Sequence, residues 1–350
     1  NAWGVSFGKP KSDIKKLRQW NSDVVTGLTG GLGRLVTQRK INHVRATARL
    51  TDASNLTLTD LDGKTSILEF EHAILATGSG AVDIPLLPAD SRRIWNSKDA
   101  LNLAAVPKTL LVVGGGYIGL ELGSVYAALG SQVTVVEMLP HLLAGADRDL
   151  VRFLAKTLKD RFKAILLNTT VVGAAVQKNG VKVTFQAEDD KPVNQLFQQV
   201  LVAVGRRPQT AGLGLDKAGI VLDESGFVKT DEQCRTTAAT VFAIGDVAGQ
   251  PMLAHKASYE ARIAVETLAG KNVAADPVAV PAVVFTDPEV AWAGLTETEA
   301  KAQGKAVEVT RFPWAASGRA VTLGRTDGLT KLIIDPHSER LLGVGIVGPG

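Results

Sequence analysis

Cysteine is almost absent from this sequence. Cys234, in the segment DEQCRTT, is the single cysteine among 350 residues, so these residues exclude an intramolecular disulfide and a redox pair of thiols. The neighbouring Arg235 could lower the pKa of this thiol. A thiol with no second motif around it is more often unreactive, and we interpret Cys234 as a passive thiol.

Aromatic residues, excess charge and long apolar runs are also scarce. Aromatic residues make up 5% of the chain, and the net charge of +4 is small and dispersed, which argues against a nucleic-acid-binding protein. No apolar run reaches the length of a membrane span, and the N-terminus lacks the pattern of a signal peptide. We therefore expect a cytoplasmic protein with no nucleic-acid partner and no membrane partner, and no motif predicts a metal site.

Glycine and apolar residues are abundant. The 35 glycines and 45% hydrophobic content, in a chain long enough for two or three domains, are typical of an α/β enzyme. The clearest pattern is LLVVGGGYIGLELGSVYAALGSQVTVVE, residues 110–137. It predicts a buried strand over 110–113, a G-x-G-x-x-G turn, a helix over 118–129 and a second strand over 133–136 that ends at Glu137.

Each glycine of this motif has a physical role in dinucleotide binding. Gly114 permits a tight turn, Gly116 lets the backbone approach a pyrophosphate, and Gly119 lets the helix pack closely on the strand. The pyrophosphate would lie at the helix N-terminus, where unpaired N–H groups favour negative charge. Glu137 is placed to accept hydrogen bonds from a ribose diol and would repel a 2′-phosphate. The motif predicts a site that prefers NAD to NADP, and a glycine-rich turn in a core is the simpler alternative.

Four predicted strands end abruptly at glycine, namely at Gly78, Gly114, Gly205 and Gly245. Ligands of open α/β sheets gather at the carboxyl ends of strands, so four such ends indicate two nucleotide sites rather than one. Asp246 directly follows the last of these glycines and is a candidate ligand residue. A helix cap or a turn would explain an aspartate at this position equally well.

The rest of the chain divides into an α/β part and, from residue 275 onward, an α+β part typical of an oligomer interface. A helix is predicted over 11–38 with Asp13 or Ser12 as its N-cap, and its internal glycines indicate either a break or a close contact. Thr296 and Glu299 predict a capping box for a helix over 297–303. Further predicted helices are 147–162 and 255–268, and further strands lie within 43–50, 55–59, 66–70, 71–76, 164–185, 196–204, 241–244, 283–285, 290–293, 305–312, 330–335 and 341–347.

Four segments resemble the FAD-dependent pyridine nucleotide–disulfide oxidoreductases. They are GGGYIGLELG (114–123), VLVAVGRRPQ (200–209), FAIGDVAGQPMLAHKASYE (242–260) and FTDPEVAWAGLTETEA (285–300). Within that family, Glu137 and RFPWAASGRA (311–320) are most similar to the dihydrolipoamide dehydrogenase branch. The resemblance implies a homodimeric flavoprotein that oxidises the dihydrolipoamide of lipoyl domains in 2-oxo acid dehydrogenase complexes and passes hydride through FAD to NAD.

The resemblance also implies a fold class. It is α/β, with two Rossmann-like FAD/NAD(P)-binding domains, of which the FAD domain is incomplete, and the start of an α+β dimerisation domain. The implied boundaries are 1–80 for part of the FAD-binding domain, 81–206 for the NAD-binding domain, 207–276 for the return to the FAD-binding domain, and 277–350 for the dimerisation domain.

Site residues follow from the resemblance position by position. Glu121 matches a supporting acid near the flavin that pairs with a lysine, and Asp246 matches the residue that holds the ribityl chain of FAD. Tyr117 matches a residue that can cover the flavin face. The residues implied to hold NAD are Gly114, Gly115, Gly116, Tyr117, Ile118, Gly119, Glu137, Val171 and Gly205, and those implied to hold FAD are Ala48, Thr77, Gly78, Ser79, Asp246, Met252, Leu253, Ala254 and His255.

The sequence departs from the family at the thiol chemistry. The first glycine motif for FAD, the Cys-x-x-x-x-Cys pair and the His-x-His-Pro segment of the family have no counterpart here, and none of the five histidines matches the catalytic one. We therefore expect an interior segment of such an enzyme, with weak or no flavin binding. Two alternatives stay open: a non-catalytic nucleotide-binding or assembly module, and another FAD-dependent disulfide reductase of the mercuric or glutathione type. Glu137 argues against members that use NADPH.

Overall fold

A computed structural model describes residues 4–6, 8, 11–88, 91–188 and 190–349. Its helices are α1 Ile14–Gln38, α2 Ser97–Leu101, α3 Tyr117–Ala128, α4 Arg148–Arg161, α5 Ala254–Leu268, α6 Glu297–Ala302 and α7 Gly318–Leu323. No helix among the described residues is long and apolar enough to cross a membrane.

The strands of the described chain lie between these helices and after the last of them, in runs of one to seven. They are β1 Ala46–Leu50, β2 Asn55–Asp60, β3 Thr65–Glu69, β4 Ala73–Leu75, β5 Ser79–Ala81, β6 Ile94–Trp95, β7 Thr109–Val113, β8 Gln132–Val136, β9 Ala164–Leu166, β10 Thr169–Gln177, β11 Gly180–Ala187, β12 Val193–Phe197, β13 Gln199–Val202, β14 Arg206–Pro208, β15 Val241–Ala243, β16 Ala282–Val284, β17 Glu289–Gly294, β18 Glu308–Pro313, β19 Leu329–Ile334 and β20 Leu341–Gly348.

A parallel sheet of order β6-β13-β7-β8-β9 forms the centre of the α/β part. The residues Leu110–Val112 of β7 are fully buried, as expected for a parallel strand covered on both faces. The predicted strand–turn–helix–strand unit over 110–137 is confirmed as β7, α3 and β8. A second parallel pair, β4 with β15, brings together two strands that are far apart in sequence.

The predicted strand over 196–204 is wrong as a single element. Val193–Phe197 pairs antiparallel with β11, whereas Gln199–Val202 pairs parallel with β7 in the central sheet. The break is at Gln198, whose backbone N–H donates to Thr109 Oγ1 at 2.9 Å. An apolar run does not reveal where the chain leaves one sheet for another, because both partners are distant in sequence.

Helix α1 begins where the sequence predicts but does not behave as its glycines indicate. Asp13 caps it by accepting the N–H groups of Lys15 and Lys16. The helix is unbroken, so the expected break is wrong. Within the described chain, no atom lies within 4 Å of a Cβ built at Gly27, Gly30 or Gly33, and Gly31 meets only Arg34 of the same helix at 3.8 Å. Each internal glycine costs a helix about 1 kcal/mol relative to alanine. None of the described side chains of α1 is buried.

The part of the chain after residue 280 forms an antiparallel sheet of order β16-β17-β20-β19-β18. Helix α4 packs on it: a Cβ at Gly345 would lie 2.5 Å from Leu150 Cδ1. Leu150 and Leu154 are fully buried in a core shared with the central parallel sheet. Thr296 and Glu299 form the predicted capping box of α6. Helix α4 therefore packs against both sheets.

A buried ammonium joins the same regions electrostatically. Lys331 on β19 is fully buried and donates to Asp147 at 2.7 Å, to Asp149 at 3.0 Å and to Glu297. Burial would lower the pKa of Lys331, but its hydrogen bonds to these three carboxylates outweigh burial and raise it. Arg311 adds bonds to Asp149 and Glu297.

Asp147 precedes α4 but does not cap that helix with its side chain. Its carboxylate accepts the backbone N–H groups of Glu297 and Thr298, at 3.1 and 3.3 Å, at the start of α6. The start of α4 is therefore held by residues of the β16–β20 sheet region.

Replacing Lys331 should be costly. In Lys331→Met, three carboxylates would face one another with the buried ammonium removed. We expect the free energy of unfolding to fall by about 3–5 kcal/mol. Urea titration measures this, and Lys301→Met, at an exposed position on α6, is the matched control. Equal unfolding midpoints for the two variants would contradict the prediction.

The carboxylate of Asp149 should make stability depend on pH. Burial alone would raise its pKa, but hydrogen bonds from Arg311 and Lys331 hold the pKa below its ordinary value. A lowered pKa in the folded state stabilises the protein above about pH 4, and this contribution is lost as the pH falls further. The stability gap between the wild type and Asp149→Asn should therefore be full at neutral pH and shrink below about pH 4. A gap that widened in acid would contradict the assignment.

Candidate functional site

A cavity of about 900 Å³ opens at the carboxyl ends of β7, β8 and β13. It lies where open α/β sheets bind their ligands. The residues predicted for NAD that line it are Gly114, Gly115, Gly116, Tyr117, Ile118, Glu137, Val171 and Gly205. Residues 110–137 and two distant strands therefore contribute to one cavity.

The glycines of the turn differ in what they do. Gly114 has φ +110°, and a Cβ there would lie 2.4 Å from Ala203 O. Gly119 does not line the cavity. A Cβ at this position would lie 2.2 Å from Gly114 O, so the lack of a side chain lets α3 approach the turn closely. Gly116 lines the cavity and has no atom within 4 Å of a Cβ position. That open space, at the N-cap of α3, fits the approach of a pyrophosphate to the backbone.

Glu137 lies at the end of β8, directly beside this turn. Its Oε2 accepts the N–H of Gly115 at 2.6 Å, and its Oε1 accepts the N–H of Leu139 at 2.8 Å. These two bonds fix the orientation of the carboxylate at the cavity wall. Each oxygen keeps a further lone pair, as hydrogen bonding to a diol requires.

Three residues at neighbouring strand ends form a polar cluster next to the cavity. Ser79 Oγ donates to Asp246 Oδ2, and Arg206 donates to Ser79 Oγ and to Ser79 O, both at 2.7 Å. Asp246 lies in the 3-10 turn Gly245–Val247, and its side chain bonds Ser79 rather than capping a helix. Gly78 accepts the N–H of Gln209 at 2.9 Å, and Thr77 donates to Gln209 O at 2.9 Å.

The other residues predicted to hold FAD do not lie together in one site. Met252 and Leu253 line the large cavity. Ala254 begins α5, and His255 Nε2 lies 2.8 Å from Pro281 O at the wall of a smaller apolar cavity of about 360 Å³. Ala48 lies on β1, in the separate sheet β1-β2-β3, where it pairs with Leu58.

Glu121 and Tyr117 lie on α3. The Glu121 carboxylate accepts the N–H of Phe285 at 2.8 Å, which links α3 to the end of β16. Burial raises the pKa of Glu121, and this hydrogen bond opposes the rise. Burial also raises the pKa of Tyr117, against the charge of Arg206. Tyr117 is 40% exposed at the cavity wall.

Sequence reasoning missed several parts of the cavity wall, two of which come from other regions of the fold. Residues 282–284 and Trp292 reach it from the C-terminal sheet, and residues 143–145 reach it from the segment before α4. Trp292 stands in FTDPEVAWAG, a segment already singled out by the resemblance, although nothing local ties it to a cavity. Residues 143–145 carry no local signal, because their place depends on α4.

Cys234 and the acidic cluster lie outside this cavity. Burial raises the pKa of Cys234 to about 11, and Glu260 and Asp231 add to the rise, in agreement with a passive thiol. Asp147, Asp149 and Glu297 lie close enough together to hold a metal ion, but the ammonium of Lys331 donates to all three.

The chain matches two family models. Residues 6–261 match the model described as pyridine nucleotide-disulphide oxidoreductase, and residues 280–350 match the dimerisation domain of the same family. Curated relatives agree. Dihydrolipoyl dehydrogenase of Vibrio cholerae is 44% identical over 345 residues, which cover 99% of this chain and 72% of that protein. Dihydrolipoyl dehydrogenase of Geobacillus stearothermophilus is 41% identical over 347 residues, which cover 99% of this chain and 73% of that protein.

Solved structures extend the likeness to the fold. LpdA from Mycobacterium tuberculosis superposes with a TM-score of 0.89 at 27% sequence identity. The match covers 98% of this chain and 75% of the LpdA chain. The HOCl-induced flavoprotein disulfide reductase RclA from Escherichia coli superposes with a TM-score of 0.86 at 29% sequence identity. The match covers 97% of this chain and 77% of the RclA chain. These matches confirm the predicted fold class. The chain belongs to the pyridine nucleotide–disulfide oxidoreductases, a family that uses FAD and NAD, and its curated relatives are dihydrolipoyl dehydrogenases.

Proposed function

We propose a dihydrolipoamide dehydrogenase activity for this protein, in which protein-bound dihydrolipoamide is oxidised through a redox disulfide and FAD and NAD is reduced. The redox cysteine pair and the catalytic histidine of the family have no counterpart among these 350 residues, which would supply the cofactor sites. One observation carries the proposal: a cavity with an open glycine turn and Glu137 on one wall directly adjoins the strand ends that hold Ser79 and Asp246. When bound, the flavin and the nicotinamide supply hydride transfer, and the protein supplies their positions.

The NAD side of the site follows from the glycine turn. The open space at Gly116 admits a pyrophosphate, and the N–H groups at the start of α3 offer it hydrogen bonds. The Glu137 carboxylate would accept hydrogen bonds from a ribose diol and repel a 2′-phosphate. Gly205 and Val171 border the same space. The remaining residues assigned to NAD are Gly114, Gly115, Tyr117, Ile118 and Gly119.

The FAD side is assigned to the cluster at the paired ends of β4 and β15. Asp246 would hold the ribityl chain, with Thr77, Gly78 and Ser79 beside it and Met252 to His255 along the flavin. Arg206 supports this assignment, because its charge lies 3.9 Å from Asp246 and its hydrogen bonds orient Ser79. Glu121 would support the flavin from α3, and Ala48 would contact the adenine through its backbone.

We assign the domains and partners on the same basis. Residues 1–80 and 207–276 would form the FAD-binding domain, 81–206 the NAD-binding domain and 277–350 the dimerisation domain. The match of residues 280–350 to a dimerisation domain supports a homodimer. Lipoyl domains of 2-oxo acid dehydrogenase complexes are the proposed protein partners, and the cytoplasm is the proposed location.

A second candidate function is a dinucleotide-binding or assembly module without thiol turnover. The burial and the raised pKa of Cys234 favour it, because this thiol is unsuited to attack a disulfide. An assay of the intact gene product from its natural source separates the candidates, because Cys234 is the single cysteine of these 350 residues and cannot form a redox pair alone. Lipoamide-dependent oxidation of NADH supports the dehydrogenase, whereas NADH binding without turnover of any disulfide supports the module. Turnover restricted to glutathione disulfide or mercuric ion would support a different reductase of the family.

The glycine turn generates one prediction. Gly116→Ala places a methyl group in the open space of the cavity, so the Kd for NADH should rise about tenfold, or about 1.4 kcal/mol. The fold should be nearly unaffected, because nothing lies within 4 Å of that methyl group. Gly119→Ala should instead lower the free energy of unfolding by about 1–3 kcal/mol through its clash with Gly114. Fluorescence titration and urea unfolding test both variants, and equal destabilisation of the two would contradict this division of roles.

Glu137 generates the other. Glu137→Arg replaces a carboxylate that repels a 2′-phosphate with a guanidinium that attracts it. We expect the ratio of the Kd for NADPH to the Kd for NADH to fall about tenfold or more. Glu137→Gln, which removes the charge and keeps the shape, should give an intermediate ratio. An unchanged ratio in the arginine variant would exclude Glu137 as the residue that discriminates the two dinucleotides.

A further inference from the structure

One wall of the dinucleotide cavity is a short segment, residues 142–146, between Glu137 and the start of α4. Leu143, Ala144 and Gly145 line the cavity. The N–H of Leu143 donates to Gly115 O at 3.1 Å, and a Cβ at Gly115 would lie 2.6 Å from Leu142 Cδ2. This wall therefore rests directly on the glycine turn, and its position sets the space beside that turn.

A single guanidinium holds most of the carbonyl groups of this segment. Arg148 Nη1 donates to Leu142 O at 2.8 Å, and Nη2 donates to Leu143 O at 2.7 Å and to Ala146 O. Burial lowers the pKa of Arg148 and the charge of Asp147 raises it, but an arginine side chain stays protonated at neutral pH. The fork of the guanidinium thus clamps the wall to the first residue of α4.

The backbone of the wall needs such a clamp. Leu143 has φ +47°, a left-handed conformation that is unfavourable for a leucine and persists only where its surroundings hold it. Its N–H donates to Gly115 O, and its C=O accepts from Arg148 at 2.7 Å and from the N–H of Ala146 at 2.9 Å. Because Arg148 does not line the cavity, it would act on a ligand through the wall alone.

The other end of the clamp is rigid. Arg148 is the first residue of α4, whose Leu150 and Leu154 are buried between the two sheets. The preceding Asp147 is held by the buried ammonium of Lys331. A side chain attached to so fixed a helix can define the position of the backbone segment that it bonds.

We propose that Arg148 is a positioning residue of the dinucleotide cavity: by clamping residues 142–146 against the glycine turn it sets the affinity for NAD, although it does not border the cavity. The inference rests on the proposed binding of NAD in this cavity. It assigns a role to a residue outside the nucleotide motif and outside the polar cluster at Asp246.

Three variants of the full 350-residue chain test it. Arg148→Met removes the clamp, Arg148→Lys keeps the charge without the fork, and Arg152→Met alters an exposed arginine one turn further along α4. Fluorescence titration should give a Kd for NADH raised about tenfold in Arg148→Met, the equivalent of one charge-assisted hydrogen bond. The lysine variant should be intermediate, and Arg152→Met should match the wild type.

Hydrogen exchange gives a readout that a merely stabilising residue would not move. In the absence of ligand, the amides of residues 142–146 should exchange faster in Arg148→Met, while those of the buried strand β7 stay protected. NADH should restore part of this protection, because the bound ligand covers the wall. Exchange that accelerates equally throughout the α/β part would overturn the inference, since it would show general destabilisation.

The Kd values for NADH show whether the inference or the proposed function fails. A Kd for NADH in Arg148→Met within twofold of the wild type, or no weaker than in Arg152→Met, would overturn this inference alone. Failure of the unsubstituted chain to bind NADH would overturn the proposed function, and this inference with it. If Arg148→Met does not fold, the comparison of Arg148→Lys with the wild type decides in the same way, and equal affinities overturn the inference.

Discussion

The large cavity at the ends of β7, β8 and β13 depends on the close approach of α3 to the end of β7. This approach is possible only because Gly119 has no side chain: a Cβ would lie 2.2 Å from Gly114 O and 3.0 Å from Val112 Cγ1. The contact places the N-terminus of α3 directly over the turn, so its free N–H groups point into the cavity. Glu137 then bonds the N–H of Gly115, and the carboxylate and the turn become one unit.

The walls of the cavity come from regions that buried interactions hold in place. Helix α4 packs between the parallel and the antiparallel sheet, and Lys331 bonds carboxylates at its start and on α6. A buried ion pair of this kind is weak evidence for net stability, since desolvation offsets much of the attraction. Its effect here is geometric: the segment before α4 and the sheet that carries Trp292 reach the same cavity in a defined arrangement.

The second cluster depends on pairing across a long stretch of sequence. β4 and β15 are parallel neighbours, so Gly78 and Gly245 end at the same edge, and Ser79 meets Asp246 there. Arg206, which follows the end of β13 in the central sheet, completes the cluster and also lines the dinucleotide cavity. Arg206 therefore links the two sets of strand ends, together with the pairing of β5 with β14.

Elements with a local signal follow directly from the amino-acid sequence. The glycine spacing, the periodicity of 110–137 and the capping box at Thr296 act within a few residues, and each forms as the pattern predicts. Tertiary structure decided what depends on distant partners: the break at Gln198, the exposure of α1, the cavity wall at Trp292, and the clamp of Arg148 on residues 142–146. The physical reason is that hydrophobic periodicity reports which side of an element is apolar, whereas the partner of that side is chosen by packing across the whole chain.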